Sequence, residues 1–322
     1  MQNVALITGI TGQDGAYLAK LLLDKGYVVK GLTRSYSNLN LKGLEFLGIK
    51  DKVKLIECDL TDLSQVISVI KEVNPAHIYN LAAQSSVSLS FKQPIGTLNF
   101  NITSVLNLLE AIRLIKPDIK YYQASSSEIF GATEDLPITE NHTVNPISPY
   151  SISKTTGFLI SKNYREAYGI FSCNGFLFNH ESCLRTNNYF VKKVITESLK
   201  IKQGKKQILE VGNIDIKRDF GWAAKYVESM FLMLNHTSPG DYIICSGASI
   251  SLRSIIEYVF KSLNISMDHL VVSKDLYRPT EITDMYGDNT KARKILGWDY
   301  RLNFYDVLDI LIEEEIKYFS GQ

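Results

Sequence analysis

The chain has 322 residues, 45% of them hydrophobic and 21% charged, which is enough to bury a sizeable core in one large domain or two intimate ones. Its 35 basic and 34 acidic side chains leave a formal charge of +1. No overall field therefore favours nucleic acid or an anionic membrane surface.

Taken in order, short β-branched runs alternate with amphipathic stretches. Strands are predicted at Val4–Thr8, Tyr27–Thr33, Lys54–Glu57, His77–Leu81, Lys120–Ala124 and Phe171–Phe178. Helical patterns lie between them, at Ala16–Lys25, Leu63–Val73 and Gly96–Ile115. This alternation predicts an α/β fold, a Rossmann-type doubly wound parallel sheet with its ligand edge at the strand C-termini. Beyond Phe178 the strict alternation stops. A helix at Tyr189–Gln203 and a strand at Ile208–Val211 are expected, then a helix at Trp222–Asn235 and a strand at Tyr242–Cys245 that return to the main sheet. Helices at Leu252–Leu263 and Phe304–Phe319 close the chain. The expected organisation is a dinucleotide-binding domain over 1–178 plus about 219–247. A smaller, interleaved substrate domain takes 179–218 and 248–322.

The run VALITGITGQDGAYLAKLLL carries Gly9, Gly12 and Gly15 between a strand and a helix. Small residues are needed there for the turn, for approach of a pyrophosphate to the backbone, and for helix–strand packing. The helix N-terminus then offers free N–H groups and a positive dipole end to phosphate. Dinucleotide sites selective for NAD usually carry an acid after the second strand. This chain reads GLTRSYSN, with Arg34 and no acid. A guanidinium suits a 2′-phosphate, so NADP is the expected cofactor rather than NAD. Asp59, in ECDLTD, is expected to cap a helix, with adenine also within its reach.

Tyr150 and Lys154 stand at i and i+4 in SPYSISK, which on a helix places both on one face. The ammonium is expected to lower the tyrosine pKa, so that the ionised tyrosine takes a hydroxyl proton as hydride leaves the same carbon. The segment YYQASSSEIFG ends the fifth strand and brings Ser125, Ser126, Ser127 and Glu128 to the ligand edge. There Glu128 can remove a proton α to a new ketone, as elimination requires. The bland alternative has the serines satisfying backbone groups and Glu128 capping a helix.

Together these residues resemble the extended short-chain dehydrogenases, and more narrowly the GDP-mannose 4,6-dehydratase family. The resemblance covers almost the whole chain and includes YNLAAQSSVSLSF, FNHES, GNIDIKRDFGWAAKYV and RPTEITDMYGDNTKARKILGW. It implies a GDP-sugar 4,6-dehydratase with Ser126, Glu128, Tyr150 and Lys154 as the catalytic set. It implies cofactor contacts from Gly9, Thr11, Gly12, Gln13, Asp14, Gly15, Arg34, Asp59, Leu60, Leu81, Ala82, Ala83, Tyr150 and Lys154. Substrate contacts would come from Ser85, Ser86, Asn179, Arg185, Arg218, Arg278 and Glu281. A homo-oligomer, tetramer or dimer, is also implied.

The chain departs from the family where Ser35 replaces a second arginine, and where CLRTNN follows FNHES in place of PRRGE. The second change lies near the sugar and tilts the expectation towards GDP-D-glycero-α-D-manno-heptose over GDP-mannose. The competing readings are a nucleotide-sugar 4-epimerase or 4-reductase, which needs no carboxylate at 128, and a non-catalytic nucleotide-binding protein. No apolar run approaches the roughly 20 residues of a membrane span. The opening MQNVALITG has no signal-peptide layout. Cys58, Cys173, Cys183 and Cys245 show no CxxC spacing, and the five histidines no ligand spacing. A cytoplasmic protein with reduced thiols and no metal is expected.

Overall fold

The computed structural model of the chain describes residues 3–37, 39–277 and 279–320. The first half runs β1 (Val4–Thr8), α1 (Gln13–Asp24), β2 (Val28–Thr33), α2 (Lys42–Phe46), β3 (Lys54–Glu57), α3 (Leu63–Val73) and β4 (His77–Asn80). It continues through α4 (Val87–Lys92), α5 (Pro94–Ile115), β5 (Lys120–Ser126), α6 (Pro149–Tyr168) and β6 (Ser172–Leu177). The second half holds β7 (Asn179–Glu181), α7 (Phe190–Lys202), β8 (Leu209–Val211), β9 (Lys217–Trp222) and α8 (Ala223–Asn235). It ends with β10 (Asp241–Ile244), β11 (Ser249–Ser251), α9 (Leu252–Leu263), β12 (Leu270–Val272) and α10 (Phe304–Ser320).

Seven strands form one sheet in the order β10-β6-β5-β4-β1-β2-β3, and every pairing in it is parallel. The strands are apolar along their length because both faces are covered. Ala5, Ile7, Tyr79 and Tyr122 pack on one side with residues of α1 and α8. Their neighbours Leu6, Ile78 and Tyr121 pack on the other with residues of α3 and α5. This is the two-residue alternation of a strand, here with a core on each face. The chain leaves β1 for β2 on one side and reaches β4 on the other, so the crevice beyond β1 and β4 is the topological switch point at which such sheets bind ligands.

The switch point is tied by a buried polar network. Thr8 Oγ1 donates to Asn80 Oδ1 at 2.7 Å and accepts from the backbone N–H groups of Leu81 and Ala82, each at 3.0 Å. Asn80 Nδ2 in turn donates to Tyr121 Oη and Gln123 Oε1. Buried polar groups carry a desolvation cost unless paired, so a fully bonded set specifies one arrangement of the β4 exit loop.

Short elements in the second half escape sequence patterning. FNHES contains β7, which pairs with β9, and β9 pairs with β11. A three-residue strand is too short to display alternation. Residues 217–222 therefore belong to this small sheet and not to the main one, whereas β10 joins the main sheet beside β6. A separate hydrophobic cluster unites α7, β8, α9 and α10 through residues such as Val191, Leu209, Ile255 and Val307.

Candidate active site

Helix α6 begins with Ser148, whose side chain accepts from Ser151 N–H while the Ser151 hydroxyl accepts from Ser148 N–H, and Pro149 occupies the first turn. This reciprocal cap and the preset proline φ start the helix at a defined residue. Tyr150 and Lys154 consequently lie one turn apart within its first two turns, both buried. The Lys154 ammonium donates to the carbonyl oxygen of Ala124 at 2.7 Å and lies 5.9 Å from the centre of the Tyr150 ring. Burial pulls the Lys154 pKa down to about 8, against the pull of the Asp14 carboxylate.

Burial pushes the Tyr150 phenol above its ordinary value. The Ser126 hydroxyl and the Arg185 charge pull it back, while Tyr189 and Glu128 raise it further. This corrects the expectation that Lys154 lowers it: the ammonium is spent on Ala124, and desolvation dominates. Ser126 also accepts from Glu128 N–H at 3.3 Å, capping the short turn that follows β5. The serine is thus the cap, and the Glu128 side chain is left to line the cavity.

That cavity, of about 530 Å³, opens over the C-terminal ends of β1, β4, β5 and β6. The glycine loop forms its floor. Gly9 adopts φ +69°, and a Cβ there would lie 2.9 Å from Ala82 N. A Cβ on Gly15 would lie 2.3 Å from the Gly9 carbonyl oxygen. Gly12 is the N-cap of α1, so the unpaired N–H groups of the first turn face the cavity where phosphate is favoured. Such a cradle, with no side chain at its base, fits a dinucleotide pyrophosphate. Thr11, Gln13, Asp14, Leu81, Ala82 and Ala83 line the same region. Gln13 is bonded within the protein, donating to the His180 carbonyl and accepting from the Ser182 hydroxyl.

Beyond the loop lies a buried charged set that bridges α1 and β7. Asp14 accepts from His180 Nε2 at 2.9 Å. The opposite ring nitrogen bonds the Phe178 carbonyl at 2.7 Å, and the imidazole stacks on Tyr226 at 4.7 Å. The His180 and Arg185 charges hold the Asp14 carboxyl below its ordinary value although burial opposes them. Glu181, by contrast, is pushed upward by burial, and Arg185 pairs with it at 3.7 Å. His180 is therefore tied by hydrogen bonds at both ring nitrogens, and it lines the cavity as well.

The remaining expected residues divide. Ser85, Ser86, Asn179, Arg185 and Arg218 line the cavity with Ser126, Glu128, Tyr150 and Lys154. Ser86 also caps α4 by accepting from Leu89 N–H. Arg218 donates to the carbonyls of Lys217 and Ile282, and Asn179 donates to the Asp219 carbonyl. Glu281 lies outside the cavity lining, where it accepts from Asn213 Nδ2 at 2.7 Å. Arg278 falls outside the described residues. Arg34, Asp59 and Leu60 follow β2 and β3, away from the cavity lining. Asp59 is held in a local turn, accepting from both the N–H and hydroxyl of Thr61. It does not cap a helix. Asp62 does, accepting from Ser64 and Gln65 N–H at the start of α3.

Tyr189 was assigned by its spacing to a helix, yet it is the extended N-cap of α7, and its phenol enters the cavity. No local signal separates a first helical residue from a cap of this kind. Among the described residues, no group of three or more acidic, histidine or cysteine side chains could hold a metal. No helix among them is long and apolar enough to cross a membrane.

A family model described as GDP-mannose 4,6 dehydratase matches residues 6–311. The chain belongs to the GDP-mannose 4,6-dehydratase family. It is 40% identical to GDP-mannose 4,6 dehydratase 1 of Arabidopsis thaliana, with 98% of this chain and 90% of that protein covered. It is 38% identical to the human GDP-mannose 4,6 dehydratase, covering 98% and 92%. Against the Sinorhizobium fredii (strain HH103) GDP-mannose 4,6-dehydratase the values are 37%, 99% and 98%. Among solved structures, a dTDP-glucose 4,6-dehydratase from Streptomyces venezuelae with NAD and TYD bound superposes with a TM-score of 0.89 at 18% identity, covering 99% of this chain and 98% of that one. RMD from Pseudomonas aeruginosa complexed with NADPH gives 0.81 at 22%, covering 98% and 100%. These two share the fold. Of the residues expected to be catalytic, Ser126, Glu128, Tyr150 and Lys154 all line one cavity.

Proposed function

We propose that the chain is a GDP-sugar 4,6-dehydratase that removes water from GDP-mannose and uses NADP. The observation that carries this reading is the presence of Glu128 in the cavity that also holds Tyr150 and Lys154. Epimerases and 4-reductases of this fold need the tyrosine and lysine but no carboxylate at that place. The names of the relatives support mannose. The heptose expected from the altered loop has no support among them, and it enters only as a competing substrate to be measured.

When bound over the glycine cradle, a nicotinamide supplies the hydride acceptor and donor that a reaction with no net redox change requires. The chain's own residues move the protons. Tyr150, acting as the phenolate, takes the proton of the sugar 4-hydroxyl and becomes the neutral phenol, while the Lys154 ammonium is held on the Ala124 carbonyl 5.9 Å from its ring. The Ser126 hydroxyl favours the ionised form of Tyr150 and caps the turn carrying Glu128. Glu128 removes the C5 proton, acidified by the C4 ketone, and delivers a proton to the departing 6-hydroxyl. One water is lost, and a 4-keto-6-deoxy sugar nucleotide results. Buried Arg218 and half-buried Arg185 beside the cavity provide fixed positive charge for the diphosphate.

NADP is favoured over NAD by Arg34, which is exposed after β2 with no acid at the strand end and close enough to Asp59 to lower its pKa. Incubating the purified chain with NADP and GDP-mannose and weighing the product decides the reaction. Loss of about 18 mass units (one water) without NADPH accumulation is expected. Glu128→Gln should abolish that loss yet retain hydride exchange at C4. Wild-type dehydration by this variant would remove Glu128 from the mechanism. Arg34→Ala should lower kcat/KM for NADP more than for NAD.

A further inference from the structure

The family reading gives no role to Tyr189, which lines the cavity. Tyr189 enters from the loop before α7, and its hydroxyl lies 2.6 Å from Ser85 Oγ in the loop after β4, 104 residues away in sequence. The guanidinium carbon of Arg185 lies 3.8 Å from the centre of its ring. Arg185 is itself half-buried and paired with the buried Glu181 at 3.7 Å. The ring is thus fixed at its tip by a hydroxyl pair and on its face by a stacked cation. An aromatic side chain has only two χ angles to lose, so two such contacts hold it in place at small entropic cost.

We propose that Tyr189 is a specificity-determining residue: its phenol, braced by Ser85 and Arg185, walls the reacting end of the cavity and limits the substituent accepted beyond C5 of the sugar. This inference rests on the dehydratase reading above. Tyr189 lines the same cavity as Tyr150 and Glu128, and its phenol is close enough to Tyr150 to oppose ionisation there. Tyr150 addresses C4 and Glu128 addresses C5 and C6. A fixed ring beside them faces the end of the sugar where a hexose and a heptose differ. The wall is formed by the loop in which CLRTNN replaces PRRGE, so the departure from the family carries a definite steric consequence. A phenol that merely plugged the start of α7 would leave the choice between substrates untouched.

The test compares kcat/KM for water loss from GDP-mannose and from GDP-D-glycero-α-D-manno-heptose, whose sugar carries one further hydroxymethylene carbon. Tyr189→Ala should raise the heptose-to-mannose ratio by on the order of tenfold or more, the usual worth of one extra group in a close pocket. Tyr189→Phe keeps the bulk and should keep the wild-type ratio, although it loses the Ser85 contact. Tyr189→Leu retains an apolar surface for Arg185 and supplies the same readout if the alanine variant does not fold. A ratio unchanged or lowered in the folded truncation variants overturns the wall. Wild-type enzyme that dehydrates neither sugar overturns the dehydratase reading, and the wall with it. Normal dehydration with an unmoved ratio overturns the wall alone.

Discussion

The Lys192 ammonium on α7 bonds at once to the Glu315 carboxylate on α10 and to the Cys183 carbonyl oxygen, the latter at 2.7 Å. Both charged side chains are buried. Cys183 opens the loop that carries Arg185 and Tyr189, so the last helix of the chain holds a wall of the cavity. Removing one partner leaves an uncompensated buried charge. Lys192→Met should therefore lower unfolding free energy by about 3–5 kcal/mol. Replacing both partners with apolar residues (Lys192→Met with Glu315→Leu) should recover much of that loss. Urea unfolding of both variants checks it, and equal losses in the two would contradict the paired-charge account.

A methyl group on Gly15 has nowhere to go. It would meet the Gly9 carbonyl oxygen at 2.3 Å and Ile10 Cα at 2.6 Å, both backbone atoms that cannot swing aside. Gly15→Ala should cost about 1–3 kcal/mol of stability through overpacking. It should also displace the α1 N-terminus from the pyrophosphate position. The expected outcome is a smaller rise in melting temperature on adding NADP than the wild type shows. An undiminished rise would separate the glycine from cofactor binding.

Lys154 gives the protein a signature at alkaline pH. Its folded pKa of about 8 lies below the ordinary 10.5. Between these values the unfolded chain binds more protons, so stability from this group rises with pH from about 8 to 10.5, by on the order of 3 kcal/mol. Activity should move the other way, falling above about pH 8 as the ammonium is lost. Lys154→Met should abolish the alkaline stability gain and most of kcat. Denaturation midpoints at pH 7 and pH 10, set beside a pH–rate profile, test both signs.

Asp219 should act in the opposite direction at acid pH. It is fully buried in β9, and burial raises its pKa to about 6 although the Ser246 hydroxyl and the Ser246 and Gly247 N–H groups bond its two oxygens. Between the ordinary 3.8 and about 6 the fold binds more protons than the unfolded chain. Stability from this group therefore falls as pH rises through that window. Asp219→Asn should remove that dependence. It should also cost about 1–3 kcal/mol at neutral pH, because an amide N–H would face a donor wherever it points.

The glycine loop, the Tyr150–Lys154 pair and the β5 segment ending in Glu128 were legible because each is encoded within one strand–turn–helix or one helix turn. Periods of 2 and 3.6 residues and the need for small residues at a tight turn act over a few positions. The parallel sheet followed from the same alternation, and all seven strands of the main sheet lie where the spacing put them or within a few residues. The short strands β7, β9 and β11 were hidden, since they are set by pairing with distant partners rather than by their own pattern.

What the sequence by itself determined is the fold class, the glycine cradle and the placement of the four residues proposed as catalytic. Only the tertiary structure decided which distant side chains meet: Asp14 with His180, 166 residues apart, and Ser85 with Tyr189, both pairs in the cavity lining, and Lys192 with Glu315, 123 residues apart, behind it. It also moved the helix cap from Asp59 to Asp62 and reversed the expected control of Tyr150, from a neighbouring cation to burial. The reason is physical. Local spacing dictates which face of an element a residue occupies, but charge, desolvation and cavity shape depend on what packs against that face, and chain distance carries no record of it.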